Sequence, residues 1–121
     1  LYNLGVWQRK ELGKTEVDYL EYAIESDSSM LAPYLERAYQ RMEGGYYKGA
    51  LEDYTSALEI NPKDPEIWLN SGLARERLQD LKGAYSDYTN AIELNEKFEK
   101  AWLNRGNVLS KMGRHQEAVE D

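Results

Sequence analysis

The stretch GALEDYTSALEIN at residues 49–61 decides the fold, because it recurs as GAYSDYTNAIELN at residues 83–95. Eight of the thirteen positions are identical, and the second stretch begins 34 residues after the first. Residues 31–64 and 65–98 align over the same step without gaps and share 12 identical positions. A fixed period of this length is typical of stacked helical repeats, in which each unit packs against its neighbours.

Each copy is predicted to form two helices joined by a short turn. Asp64-Pro65 is a strong helix start, because aspartate caps free backbone amides and proline fits the first helical turn. Apolar and small residues then recur at helical spacing, and the first helix is expected to end near Leu78-Gln79. Asp80 is expected to cap a second helix that runs to about Leu94. The alternating pattern typical of β-strands does not compete anywhere in the sequence.

The period extends beyond the two best copies. Residues 99–121 match a truncated third copy that reaches into its second helix, and residues 1–30 are interpreted as a degenerate copy. The predicted fold is therefore all-α, a solenoid of antiparallel helix pairs with about three and a half repeats in one continuous domain. The first residues lack both an initiator Met and a signal-peptide pattern, so we expect the sequence to be part of a longer chain.

The spacing of aromatic and small residues resembles the tetratricopeptide repeat, whose pattern of Trp, Gly, Ala, Tyr and Pro extends over 34 residues. In residues 65–98 the matching positions are Trp68, Gly72, Ala84 and Tyr88. Ser71, Arg75 and Glu96 depart from the pattern. The other copies supply Tyr34, Ala38, Ala50, Tyr54, Pro62, Trp102, Gly106 and Ala118. The resemblance implies a right-handed superhelix with a concave groove lined by the first helices.

Most of the pattern residues are predicted to have a packing role. Small side chains at Ala38, Gly72 and Gly106 would let the first helix of each copy approach its partner closely, whereas a larger side chain would overpack the contact. The large aromatic residues expected to fill the space between neighbouring helices are Tyr54, Tyr88, Trp68 and Trp102. Gly44-Gly45 is predicted to form a turn, because the Lys-Ser/Thr of a phosphate-binding loop does not follow it.

Composition and charge restrict the function. The formal charge of −7 argues against a general nucleic-acid binder, and no apolar run is long enough to predict membrane insertion. Without cysteine and with His115 as the single histidine, neither a zinc site nor another cofactor is expected. Acidic pairs such as Glu52-Asp53 and Glu120-Asp121 have no partner base, so we expect a solvated surface rather than an enzyme active site.

The resemblance implies that ligands contact first-helix side chains facing the groove. The candidate residues are Leu35, Tyr39, Leu69, Asn70, Leu73, Lys100, Leu103, Asn104 and Asn107. Asn70 and Asn104 stand 34 residues apart, and an asparagine amide can donate to and accept from the backbone of an extended peptide. The alternative is that asparagine is simply common at this repeat position. The residue set that clamps C-terminal carboxylates in some relatives is incomplete here.

The favoured function is a protein-interaction module, a scaffold or co-chaperone-like adaptor that holds an extended peptide or a partner helix in its groove. Two alternatives stay open at this point. The chain has a structural role through the solenoid edges, including self-association through the truncated C-terminal copy, or it is the targeting arm of a larger enzyme. The sequence does not identify the partner or the process, and among compartments the cytoplasm is favoured.

Overall fold

The computed structural model describes residues 30–120, and the side chains of residues 30–114. Within this part of the chain every regular element is an α-helix. The helices are α1 (Leu31–Glu43), α2 (Tyr47–Ile60), α3 (Pro65–Arg77), α4 (Leu81–Leu94) and α5 (Glu99–Glu120). Each helix packs against the next, and the contacts are most extensive within the pairs α1–α2 and α3–α4. The predicted all-α solenoid is confirmed for these residues, while the degenerate copy lies outside them apart from Met30.

The helix boundaries follow from local capping and turn chemistry. The Asp64 side chain accepts a hydrogen bond from the Glu66 N–H at 2.9 Å, and the Asp80 side chain accepts one from the Gly83 N–H at 3.0 Å. Each turn within a helix pair contains one residue in the left-handed region, Gly45 with φ 81° and Gln79 with φ 66°. The predicted starts of α3 and α4 and the predicted glycine turn are therefore confirmed.

Two apolar clusters form the core, and each joins one helix pair to the next. The first contains Tyr34, Ala38, Ala50, Tyr54, Ala57, Ile67 and Ala74, and the second contains Leu69, Ala84, Tyr88, Ala91, Ile92, Ala101 and Val108. The approach of α4 to α3 is closest at Gly72, where an added Cβ would lie 2.5 Å from Cε1 of Tyr88. A glycine is therefore required at this contact, as the repeat pattern predicts.

Two tryptophans attach the first helices to the linkers that precede them. The indole Nε1 of Trp68 donates a hydrogen bond to the carbonyl of Pro62 at 2.8 Å. One repeat later, Nε1 of Trp102 donates to the carbonyl of Glu96, also at 2.8 Å. Each linker is thus attached to the helix that follows it by a side chain as well as by the backbone.

The third copy does not turn where the other two do. Gly113 stands in register with Gly45 and Gln79, the two residues with positive φ, yet α5 continues through it to Glu120. A single helix replaces the expected helix, turn and partial second helix of residues 99–121. A continuous helix retains the backbone hydrogen bonds that a turn at Gly113 would break, and a helix as short as the remaining segment is marginal by itself.

Part of α5 consequently lacks the covering seen in the earlier copies. Trp102 is expected to fill a space between helices, but it is 47 % exposed. An added Cβ at Gly106 would meet no atom within 4 Å, in contrast to Gly72. The predicted packing roles of Trp102 and Gly106 are therefore wrong for this structure, because no second helix covers this side of α5 within residues 30–114.

Candidate peptide-binding groove

The nine candidate groove residues lie on the first helices α1, α3 and α5. Four are exposed, namely Tyr39, Lys100, Leu103 and Asn107, and four are partly buried, namely Leu35, Asn70, Leu73 and Asn104. Leu103 at 66 % and Tyr39 at 59 % are the most exposed large apolar side chains of residues 30–114. Helices α3 and α5 also contact each other directly, so the candidate residues of these two helices are neighbours.

Leu69 differs from the other candidates because it belongs to the core. Its side chain is 3 % exposed and lies in the cluster of Tyr88 and Ala101, so it offers no surface to a ligand. Leu35 packs partly against the first cluster, whereas Leu103 is largely exposed. The expected row of leucines is therefore not a continuous apolar strip, and only its last member is accessible.

Asn70 and Asn104 have side-chain amides that remain available. Both residues are partly buried, and neither amide has a hydrogen-bond partner among the described side chains and backbone. An asparagine amide has two N–H donors and a carbonyl acceptor, so an unpaired amide keeps its full capacity for a ligand. The two residues occupy the same position in consecutive copies, as the sequence predicts.

A charged contact joins α3, α4 and α5 beside these amides. The Glu76 carboxylate accepts a hydrogen bond from the Tyr88 hydroxyl at 2.7 Å and one from the Lys111 ammonium at 2.8 Å. Burial, and then the hydrogen bond to Glu76, raises the pKa of Tyr88 well above its usual range, so the hydroxyl remains a donor. Glu76 and Lys111 thereby neutralise each other at this end of the groove.

Asp53 is a buried member of an ion-pair cluster rather than a surface carboxylate. Its side chain accepts hydrogen bonds from Nη2 of Arg37 at 2.6 Å, Nε of Arg37 at 3.0 Å and Nη1 of Arg41 at 3.3 Å. Asp53 is 1 % exposed, so the predicted solvated position is wrong for this residue. Two guanidinium groups on α1 compensate the burial of its charge.

Asp87 occupies the same position in the next copy with different partners. Its Oδ2 accepts hydrogen bonds from the Ser71 hydroxyl at 2.6 Å and from Nε of Arg75 at 3.0 Å. Nη1 of Arg75 also donates to Asp80 at 2.8 Å. Ser71 and Arg75 are two of the residues that depart from the repeat pattern, and their polar side chains are what allow Asp87 to be buried between α3 and α4. The 34-residue step from Asp53 to Asp87 was the sequence signal for this contact.

The two carboxylates of α4 and its cap should contribute to pH dependence with opposite signs. Burial raises the pKa of Asp87, so its contribution to stability falls as pH rises above the unfolded-state pKa of about 3.9. The Gly83 N–H, followed by Arg75, lowers the pKa of Asp80. The contribution of Asp80 is therefore complete above about pH 3.9 and is lost as pH falls through its lowered pKa.

Urea unfolding at a series of pH values will test this contrast. We expect the difference in unfolding free energy between the wild type and Asp87→Asn to decrease as pH rises above about 3.9. The difference between the wild type and Asp80→Asn should instead increase as pH rises toward the same value. Two differences that change in the same direction would contradict the assignment.

The described residues contain no group of three or more His, Cys, Asp or Glu placed to hold a metal ion. None of the helices within residues 30–120 is long and apolar enough to cross a membrane. The side chains of His115 and Asp121 lie outside the described part of the chain. What the structure does bring together is a set of exposed polar and apolar side chains on successive first helices.

Three family models match the chain. A model described as TPR repeat matches residues 38–79, and two models described as tetratricopeptide repeat match residues 65–98 and 87–120. Together they extend from residue 38 to residue 120. The chain belongs to the tetratricopeptide repeat family. A comparison with curated proteins finds no match.

Solved tetratricopeptide repeat structures superimpose on most of the chain. The crystal structure of MamA has a TM-score of 0.79 at 20 % identity, covering 93 % of this chain and 67 % of its own. The Sgt2 TPR domain from Aspergillus fumigatus has a TM-score of 0.78 at 24 % identity, covering 97 % and 78 %. The first TPR of Spaghetti (RPAP3), bound to the HSP90 peptide SRMEEVD, has a TM-score of 0.77 at 20 % identity, covering 88 % and 86 %. At these identities the likeness shows a shared fold.

Proposed function

We propose that this tetratricopeptide repeat chain is a non-catalytic protein-interaction module, a scaffold or adaptor that binds an extended peptide or a partner helix along α1, α3 and α5. The pair of unpartnered amides at Asn70 and Asn104 carries the proposal. The fold supports it, because the similar RPAP3 domain was solved with an HSP90 peptide. The chain's own ligand is identified here only by its chemistry.

An extended peptide suits this surface because its backbone groups are free to pair. Each asparagine amide can take one backbone donor and one backbone acceptor whatever the peptide side chains are. The exposed Leu103 offers a contact for an apolar side chain, and Lys100 on the same helix offers one for a carboxylate. We expect affinities of roughly micromolar, or about −8 kcal/mol.

Replacing both Asn70 and Asn104 with alanine is expected to weaken peptide binding by about tenfold or more, because each lost hydrogen bond contributes about 0.5–1.5 kcal/mol. Helicity should be retained, since neither amide pairs within the described chain and alanine is the best helix former. The measurement is a titration followed by fluorescence anisotropy. Its probes are peptides selected from a random peptide library displayed on phage against the wild-type protein.

The matched control is Asn90→Ala, the same substitution on the second helix α4. It should bind the selected peptides as the wild type does. Equal affinities for the wild type and the Asn70→Ala/Asn104→Ala variant, with circular dichroism unchanged, would remove the groove as the binding site.

Self-association is a second candidate function, favoured by the exposed apolar residues of α5. Trp102 is 47 % exposed and Leu109 is 50 % exposed on this last helix of the solenoid. Sedimentation velocity over a range of concentrations tests it directly. A species that stays monomeric at the highest concentration would eliminate this candidate and leave the groove proposal intact.

A further inference from the structure

One side of α5 presents an uncovered contact surface, distinct from the groove. We call Trp102, Arg105, Gly106 and Leu109 the docking face, because their spacing places them on one side of the helix. Trp102 and Leu109 are about half exposed, and Gly106 has open space where a side chain would begin. No described helix covers this face.

The equivalent face of α3 shows what fits such a surface. Its residues are Trp68, Ser71, Gly72 and Arg75, and α4 covers them. The Tyr88 ring lies against Gly72, and the neighbouring Asp87 carboxylate accepts from Ser71 and Arg75. One aspartate-tyrosine pair therefore fills both the glycine gap and the polar part of the face.

The first copy uses the same pair of residues. Asp53 accepts hydrogen bonds from Arg37 and Arg41, and the next residue, Tyr54, is 4 % exposed in the core. Arg105 of the docking face stands 68 residues after Arg37, at the same repeat position. The docking face therefore has a cation where a carboxylate is received in the first copy and a gap where an aromatic ring is received in the second.

Charge also distinguishes α5 within this acidic protein. Between residues 99 and 114 the charged residues are Glu99, Lys100, Arg105, Lys111 and Arg114, a local excess of cations in a chain with a formal charge of −7. The Arg105 guanidinium lies 4.7 Å from the centre of the Trp102 ring, and its Nη1 donates to the Thr89 hydroxyl at 3.2 Å. These contacts hold the cation beside the gap at Gly106, where a carboxylate can reach it.

We propose that the docking face binds an acidic amphipathic helix of a partner protein, in which an aspartate directly precedes an aromatic residue. The aromatic ring would lie against Gly106, and the aspartate would pair with Arg105. Trp102 and Leu109 would contact the apolar positions of the partner helix on either side. This site differs in position and ligand from the peptide groove, so the two proposals stand or fall separately.

A peptide with the sequence of residues 80–95, DLKGAYSDYTNAIELN, is a defined probe, because the same sequence covers the equivalent face of α3. We expect the fluorescein-labelled, end-capped peptide to bind the wild-type protein in an anisotropy titration. Changing the tyrosine of its Asp-Tyr pair to alanine, or the aspartate to asparagine, should weaken binding. Failure of the parent peptide to bind would overturn the proposal.

Gly106→Leu is the decisive protein variant. It fills the gap, and it should not disturb the fold, because no atom lies near the added Cβ and leucine is a better helix former than glycine. Binding of the probe should weaken by about tenfold or more, since the ring can no longer enter. The groove variant Asn107→Ala on the same helix should bind the probe as the wild type does.

Two results would contradict the docking face. The first is probe binding that Gly106→Leu leaves unchanged, which would place the peptide elsewhere, for example in exchange with α4. The second is a concentration-dependent dimer that Gly106→Leu dissociates and that excludes the probe, because a second copy would then be the occupant. Library peptides of the groove should bind Gly106→Leu normally, so failure of one site is distinguishable from failure of the other.

Discussion

Replacing Tyr88 with alanine is expected to lower the free energy of unfolding by about 3–5 kcal/mol, the usual loss for a buried aromatic side chain. Tyr88 is fully buried in the second core cluster, and its ring closes the contact between α3 and α4 at Gly72. Truncation leaves a cavity at the centre of a helix pair that has few other large side chains. Urea unfolding followed by circular dichroism measures the loss.

Tyr88→Phe is the matched control for this prediction. The ring is retained, while the hydrogen bond from the hydroxyl to Glu76 at 2.7 Å is removed. We expect a loss of about 1 kcal/mol, the net contribution of one hydrogen bond. Losses of equal size in the two variants would show that the hydroxyl, and not ring packing, is the main source of stability.

The second large effect is expected at Arg37. Arg37→Ala leaves the Asp53 carboxylate, which is 1 % exposed, with Arg41 as its remaining charged partner at 3.3 Å. Removing one partner of a buried pair leaves an under-compensated charge, so we expect a loss of about 3 kcal/mol. The effect should appear in the same urea experiment at neutral pH.

A double-mutant cycle separates the pair from the two individual side chains. Arg37→Ala/Asp53→Ala should lose clearly less stability than the sum of the two single variants, because no unpaired carboxylate remains. Arg77→Ala is the control, since Arg77 is exposed and its guanidinium only stacks 5.9 Å from the Tyr47 ring. Its loss should stay below about 1 kcal/mol. Additive losses at Arg37 and Asp53 would show that they do not act as a pair.

The repeat period predicts the helices and most of the core in advance. The starts of α3 and α4 follow from Asp64-Pro65 and Asp80, whose capping is a local property of a few residues. Packing between helices is also local in sequence here, because each copy contacts its neighbours, so the 34-residue step identifies Tyr54 and Tyr88 as buried. A fold built from short-range contacts is readily recognised from sequence.

The same period cannot distinguish equivalent residues that have different surroundings. Leu69 and Leu103 share one repeat position, yet one is 3 % and the other 66 % exposed, because burial depends on whether another helix covers the position. Asp53 has the composition of a surface residue, and only the three-dimensional contact with Arg37 explains its burial. The groove residues follow from register, whereas their accessibility required the structure.

The indole hydrogen bonds of Trp68 and Trp102 also bear on how the chain comes apart. In a one-dimensional description of a solenoid, the linker attachment adds to the nearest-neighbour coupling energy between units, on top of the stability of each unit. Strong coupling makes a boundary between folded and unfolded units unfavourable, so states with one unit melted are sparsely populated. Amide hydrogen exchange should therefore report similar protection in α3 and in the first turns of α5, with the two segments opening together.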